Sequence, residues 1–255
     1  AGAITLRSPK KGSSAVRAYL WLGTLILVLG LSLWVNRPQP SPDRAELERV
    51  YTQLSDRINR LWDRDTLLRP DGFTYAVDVG QLLIHAAQAD DKKMYERIRE
   101  GAVPLLVRDE VDDPYTRGFV AWRVKPGAVI DASGTTEALR LAAGLWLGGS
   151  RFGFEEDRTM ARTIIEGYGR HAYVDQGVWL IRNYFNFQTR SFANDSYLVD
   201  YDPDLLASMA HGGAGGDIEM LAERSYGLVE SAFVPRGLFH TLVQPDLKTI
   251  MPDAP

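Results

Sequence analysis

The sequence predicts an all-α protein of paired helices, arranged as an α/α toroid or an orthogonal bundle and preceded by one transmembrane helix. Three observations predict it. A charge-free run fills residues 18–35, apolar residues then recur at steps of three and four through much of 44–231, and strand-like runs are few and short.

The N-terminal elements come first. Ala18 to Val35 reads AYLWLGTLILVLGLSLWV, eighteen residues without a charge between Arg17 and Arg37. A helix of that length rises about 27 Å, close to the hydrocarbon thickness of a bilayer. Trp21 and Trp34 stand near its ends, where indoles favour the interface. Residues 1–17 form a basic tail that carries Arg7, Lys10, Lys11 and Arg17 and no acid, which predicts a cytoplasmic N-terminus. A cleaved signal peptide is the competing reading. The run exceeds a typical signal core, however, and the LSLWVNRPQP that follows has bulky residues where a small-x-small cleavage site would stand. Either way the remainder is expected in the periplasm or outside the cell. Residues 36–43, NRPQPSPD, are an extended linker, because proline lacks the donor a helix needs.

The body, 44–255, is large enough for one sizeable core. The four cations of the tail leave residues 18–255 with 25 basic against 33 acidic side chains, a net −8 that argues against nucleic acid as partner. Without cysteine there is no disulfide framework, thiolate zinc site or thiol nucleophile. His85, His171, His211 and His240 are scattered, so no metal or other cofactor is expected.

From Arg44, Leu47, Val50, Tyr51, Leu54, Ile58, Leu61 and Trp62 mark one amphipathic helix, with Ser41 or Asp43 to cap it. Further helices are predicted near 76–89, 91–105, 134–148, 155–172, 203–211 and 216–231. The strand-like pieces are 119–124 with 128–130 across a Lys125-Pro126-Gly127 turn, and 178–183. Gly212–Asp217, GGAGGD, reads as a link between helices, since it lacks the ending of a phosphate-cradling loop. An orthogonal bundle would satisfy the same periodicity as a toroid.

Three clusters could carry chemistry. In the first, Asp71 to Gln81, Tyr75 and Asp78 sit at a helix start, where Asp78 either stabilises the helix dipole by about 0.3–1 kcal/mol or serves as a cleft carboxylate. In the second, Trp122 precedes the string Asp131 to Ala138. Ser133 or Thr135 would cap the helix, yet Asp131, Thr136 and Glu137 beside a tryptophan also suit sugar, whose hydroxyls need hydrogen bonds and whose ring faces need flat aromatics. The third holds Tyr184 and runs from Asn194 to Pro203 through Tyr197; its Phe185 and Phe187 read as core.

Taken in order, the strings Tyr75–Arg99, Ala121–Leu147, Ser196–Ala210 and Ser225–Asp253 resemble glycoside hydrolase family 8, a group of cellulases, chitosanases and xylanases on an (α/α)6 toroid. They are similar to its catalytic-acid helix, its A-T-D-x-D helix, its Ser-Tyr motif and the segment ending in Pro-Asp. With Gly80 on the small residue of the first motif, Tyr75 stands where the acid Glu belongs and Asp78 is the nearest carboxylate. Thr136 stands where the first Asp of the second motif would, with Glu137 displaced by one. The resemblance implies a β-linked polysaccharide or oligosaccharide as partner and an inverting, endo-acting hydrolase. Asp78 and Glu137 are then the catalytic pair, and Tyr75, Trp122, Asp131, Thr136, Tyr184 and Tyr197 the substrate-binding residues. As an acid, Asp78 would have to be enclosed by Tyr75, Trp122 and Tyr197, with Glu137 close by.

Two rival readings remain: a non-catalytic polysaccharide-binding or assembly subunit, and a helical scaffold unrelated to sugars. About seven helices against a toroid's twelve suggest an excerpt or a shortened form, with a protein partner to complete the ring.

Overall fold

The computed structural model describes residues 45–46, 48–50, 52–53, 67–108, 113–213, 216–234, 238–239 and 243. The chain divides into two units, Ala1–Asn59 and Arg60–Pro255. In the first, the described pieces between 45 and 53 are helical, within the amphipathic helix expected there. The basic tail, the apolar run 18–35 and the linker lie outside the described residues. No helix among the described residues is long and apolar enough to cross a membrane.

The second unit carries six helices among its described residues: α1 (Ala76–Gln88), α2 (Lys92–Leu106), α3 (Thr135–Phe152), α4 (Glu155–Gly169), α5 (Pro203–His211) and α6 (Gly216–Ser231). All six fall where the periodicity puts them. On α1 the buried set Ala76, Val79, Gly80, Leu83, Ala86 and Ala87 is a stripe at three- and four-residue steps. The helix α4 stops at Gly169, three residues short of expectation, because Ala172–Asp175 pairs instead with Val178–Ile181 in an antiparallel hairpin. The GGAGGD string is helical in part, since α6 begins at Gly216.

Neighbouring helices pack in pairs: α1 on α2 and α3, α3 on α4, α5 on α6. The α1–α3 crossing is close enough to require glycine. A Cβ on Gly80 would lie 2.5 Å from the Arg140 carbonyl carbon, and one on Gly144 would lie 2.5 Å from the Leu83 Cβ and 2.9 Å from the Gly80 oxygen. The approach places the start of α3 against that of α1.

Caps set the ends of two helices. Asp91 accepts the Met94 N–H at 3.0 Å to open α2, and Asp202, followed by Pro203, accepts that of Leu205 at 3.1 Å to open α5. At α3 the N-cap is Gly134, with no side-chain cap. Neither predicted capping hydroxyl takes that role: the Ser133 Oγ accepts the Phe185 N–H, and Thr135 turns to Asn183 and Asp200.

The strands are short antiparallel pairs within the connections between helices. Beyond the hairpin β3 (Ala172–Asp175) and β4 (Val178–Ile181) there are β1 (Thr74–Tyr75) with β2 (Arg123–Val124), β5 (Phe185–Asn186) with β6 (Ser191–Phe192), and β7 (Phe233–Val234) with β8 (Leu238–Phe239). The expected pairing of 119–124 with 128–130 is not formed. The Lys125 turn closes, with the Ala128 N–H on the Lys125 carbonyl at 3.0 Å, but Arg123 and Val124 pair with Tyr75 and Thr74. Beneath β5 and β6 lies an aromatic core. Phe119, Phe185 and Phe192 meet with ring centroids 5.0–6.2 Å apart, and the buried His171 packs on Phe119 at 4.8 Å. Burial holds that imidazole neutral, lowering its pKa to about 4.

Candidate functional site

Three extended segments meet in front of the first turn of α3. The Trp122 N–H bonds the Ala132 carbonyl at 3.2 Å, the Ser133 N–H that of Phe185 at 2.9 Å, and the Thr135 N–H that of Asn183 at 3.0 Å. Backbone groups are thereby consumed, and the side chains of all three segments are left to line an open cleft of about 330 Å³. Its walls are Trp122, Asp131, Ala132, Ser133, Gly134, Glu137, Asn183 and Tyr184. Four of these, Trp122, Asp131, Glu137 and Tyr184, are expected from the sequence.

Each wall residue is positioned by a neighbour. The Trp122 Nε1–H donates to Asp131 Oδ1 at 2.7 Å, which also accepts the Ala132 N–H at 2.9 Å, and Arg123 lies 3.7 Å from Asp131 Oδ2. These contacts fix the orientation of the Asp131 carboxylate at the cleft wall. The Arg123 guanidinium stacks on Trp122 at 4.1 Å and Phe73 at 4.2 Å, fixing the indole from behind. Tyr75 meets the edge of Trp122 at 5.8 Å and donates its hydroxyl to Asp71 at 2.8 Å, so it supports the cleft wall from outside. Tyr184 is exposed at the rim, an aromatic face open to a ligand.

Glu137 has the opposite environment to Asp131. Its carboxyl folds back over Gly134 so closely that a Cβ there would collide with it. Burial raises its pKa, its own backbone N–H opposes the shift, and the negative charge of Asp200 adds to it. One cleft thus holds a carboxyl group whose proton is favoured by burial, Glu137, and a second carboxyl group, Asp131, fixed by hydrogen bonds, and acid and base roles need two such groups.

Asp78 lies elsewhere. Arg69 grips it through Nε to Oδ2 and Nη2 to Oδ1, both at 2.7 Å, and the same guanidinium covers the Tyr75 ring at 4.1 Å. Both carboxylate oxygens are taken by the guanidinium, whereas a general acid must present one to the glycosidic oxygen. The enclosure of Asp78 by Tyr75, Trp122 and Tyr197 that its acid role requires is replaced by this ion pair. Thr136 and Tyr197 also stand outside the cleft lining, around Asp200: the Thr136 hydroxyl reaches Asp200 Oδ1 at 3.2 Å, and the Tyr197 N–H bonds Oδ2 at 2.8 Å.

Asp200, Asn183 and Gly134 are not among the site residues expected from the sequence, and Ser133 is expected there only as a cap. Asp200 is fully buried and burial raises its pKa to about 6. The visible signal for it was the Thr135-Thr136 pair, two hydroxyls at a helix start whose glycine cap leaves them to find acceptors elsewhere. Among the described residues no three His, Cys, Asp or Glu side chains are disposed to hold a metal ion.

No protein-family model and no curated protein matches the chain. Solved structures do. An endo-β-1,4-glucanase from Acetobacter xylinum superposes with a TM-score of 0.60 at 16% identity, covering 76% of this chain and 62% of that one. A family 8 endo-β-1,4-glucanase from an Achatina fulica gut metagenomic library gives 0.61 at 12%, covering 83% and 66%. A reducing-end-xylose-releasing exo-oligoxylanase gives 0.59 at 15%, covering 80% and 60%. The chain therefore shares the helical fold of these glycosidases, in line with the order of its motifs. It spans 60–66% of the length of these structures.

Proposed function

We propose that the cleft binds a β-linked polysaccharide and hydrolyses its glycosidic bonds. The observation that carries this is the presence in one cleft of Glu137, desolvated toward its protonated form, and of Asp131, oriented by the Trp122 and Ala132 N–H groups, between Trp122 and Tyr184. Glu137 gives its proton to the glycosidic oxygen as the bond to the anomeric carbon breaks. Water attacks that carbon and passes its proton to Asp131. The inverting course of this reaction needs the two carboxyl groups roughly 6.5–9.5 Å apart with water between them. The fold supports the reading because its likenesses include glucanases and a xylan-processing enzyme.

A second reading has one observation in its favour. Tyr75 stands where the resembled family places its acid, and Asp78 is neutralised by Arg69. A cleft that lost its acid would bind a polysaccharide without cutting it. Reducing-end release from β-glucan, xylan and chitosan by the full chain separates the two. Hydrolysis that falls about 10²–10⁴-fold in Glu137→Gln and Asp131→Asn supports the enzyme. Binding without release by the unaltered protein supports the binding subunit, and neither binding nor release removes both.

The charge-free run 18–35 and its basic flank support a membrane anchor with the cleft on the periplasmic or outer side. Mass spectrometry of the protein from the membrane fraction tests it: a mature N-terminus beyond Val35 would contradict it. A further protein partner that completes the helical ring is consistent with the part-length coverage of the structures matched.

A further inference from the structure

Behind the cleft a second carboxyl group is enclosed. Asp200 is fully buried, and its Oδ2 accepts the Tyr197 N–H at 2.8 Å. Oδ1 faces two hydroxyls of the first turn of α3, Thr135 Oγ at 2.7 Å and Thr136 Oγ at 3.2 Å. Each hydroxyl also meets a backbone acceptor: Thr135 the Asn183 carbonyl at 2.8 Å, Thr136 the Val199 carbonyl at 3.2 Å. Two hydroxyl protons thus face three acceptors. If Asp200 is ionised, the Thr135 O–H donates its hydrogen bond to the carboxylate and loses that to the Asn183 carbonyl. If Asp200 is protonated, its own O–H donates to Thr135, which donates onward to Asn183, and the chain is complete. Asn183, Gly134 and Glu137 line the cleft that this chain supports.

We infer that Asp200 is the positioning residue for Glu137: its buried carboxyl clamps the loop 194–202 to Thr135 and Thr136, in the first turn of α3 that also carries Glu137. This rests on the cleft reading above. Its function is to keep Glu137 in place as the proton donor and to make ionisation of one carboxyl oppose ionisation of the other. The titratable and charged groups facing this network are Glu137 and Arg140 from α3, Tyr168 from α4, and Tyr197, Tyr201 and Asp202 from its own loop. Arg140 is engaged by Asp202 at 3.3 Å, and the Tyr168 hydroxyl donates to the Asp200 backbone carbonyl at 2.8 Å. Tyr168 and Tyr201 are neutral at ordinary pH, with both phenols raised by burial. The coupling is thus between two carboxyl groups, and their protons leave in steps that belong to the pair.

Carboxyl carbon NMR on the full-length protein tests this without any activity. In Asp200→Asn the Glu137 resonance is expected to titrate in a single step, at a midpoint below that of the unaltered protein. In Glu137→Gln, a substitution in the open cleft that leaves the Asp200 clamp in place, the Asp200 resonance is expected to shift downward reciprocally. A purely structural clamp would move neither. Unchanged midpoints in both variants, or in Glu137→Gln alone if Asp200→Asn does not fold, overturn the inference. If the unaltered protein cleaves glycan, the alkaline limb of its pH profile should move down with the Glu137 midpoint. Coupling without cleavage would count against the hydrolase reading and leave the coupling standing.

Discussion

Arg69 and Asp78 form a two-point ion pair, Nε to Oδ2 and Nη2 to Oδ1 each at 2.7 Å, which turns the carboxylate nearest the expected acid position into a structural group. With side chains 47% and 33% exposed, the pair contributes no more than about 1 kcal/mol to stability. Asp78→Asn is therefore expected to leave glycan cleavage within about twofold of the unaltered protein, whereas Glu137→Gln lowers it by about 10²–10⁴-fold. Steady-state rates on the same polysaccharide check both. A larger loss in Asp78→Asn than in Glu137→Gln would return Asp78 to the mechanism.

The α1–α3 crossing leaves no room for a methyl group. Gly144→Ala would place its Cβ 2.5 Å from the Leu83 Cβ, so the helices must separate, at about 1–3 kcal/mol. Urea unfolding reads the loss. An unchanged midpoint would mean that the helices do not approach as closely as described.

Asp200 also leaves a mark on stability as a function of pH. Its carboxyl is raised from the ordinary 3.8 to about 6, so between those values the folded chain holds a proton that the unfolded chain has released. Stability from this group is full below pH 3.8 and declines as pH rises through about 6, by about 3 kcal/mol in all. His171 acts in the opposite direction: its pKa, lowered from 6.5 to about 4, favours folding above 6.5, and that contribution is lost as pH falls through about 4. The two trends overlap, so the useful measurement is the difference between the unaltered protein and Asp200→Asn in urea series from pH 4 to 7. The variant should lack the component that weakens with rising pH. Parallel curves would contradict the assignment.

Much of the helical frame was legible because burial of one face imposes a three- and four-residue spacing that survives in the sequence. On α1, Val79, Leu83 and Ala86 are such residues. What escaped was decided by contacts distant along the chain. Val124 looks ready to fold back across the Lys125 turn, yet its partner is Thr74, fifty residues away. Ser133 looks like a cap, but its hydroxyl serves Phe185. The cleft was half legible for the same reason. Trp122, Asp131, Glu137 and Tyr184 stand out as types that bind sugar, whereas the task of Asp200 depends on Thr135 and Thr136, more than sixty residues earlier. Asp78 stood out equally, and only its pairing with Arg69 removes it from the cleft.

Trp122 is the wall against which a sugar ring would lie, supported by Arg123 and by the edge of Tyr75. Trp122→Ala is expected to weaken oligosaccharide binding by at least about 1 kcal/mol, several-fold in Kd, through loss of the stacking face. Calorimetric titration compares the two proteins. Equal affinities would place the ligand elsewhere.

The central claim, that this cleft receives a β-linked glycan, is tested most directly at the Trp122 indole N–H, which donates to Asp131 in the free protein. Its NMR resonance in Glu137→Gln, followed while β-1,4-linked gluco-, xylo- and glucosamine oligosaccharides are added in turn, should shift saturably with at least one of them. A resonance that stays fixed through all three titrations would contradict the claim.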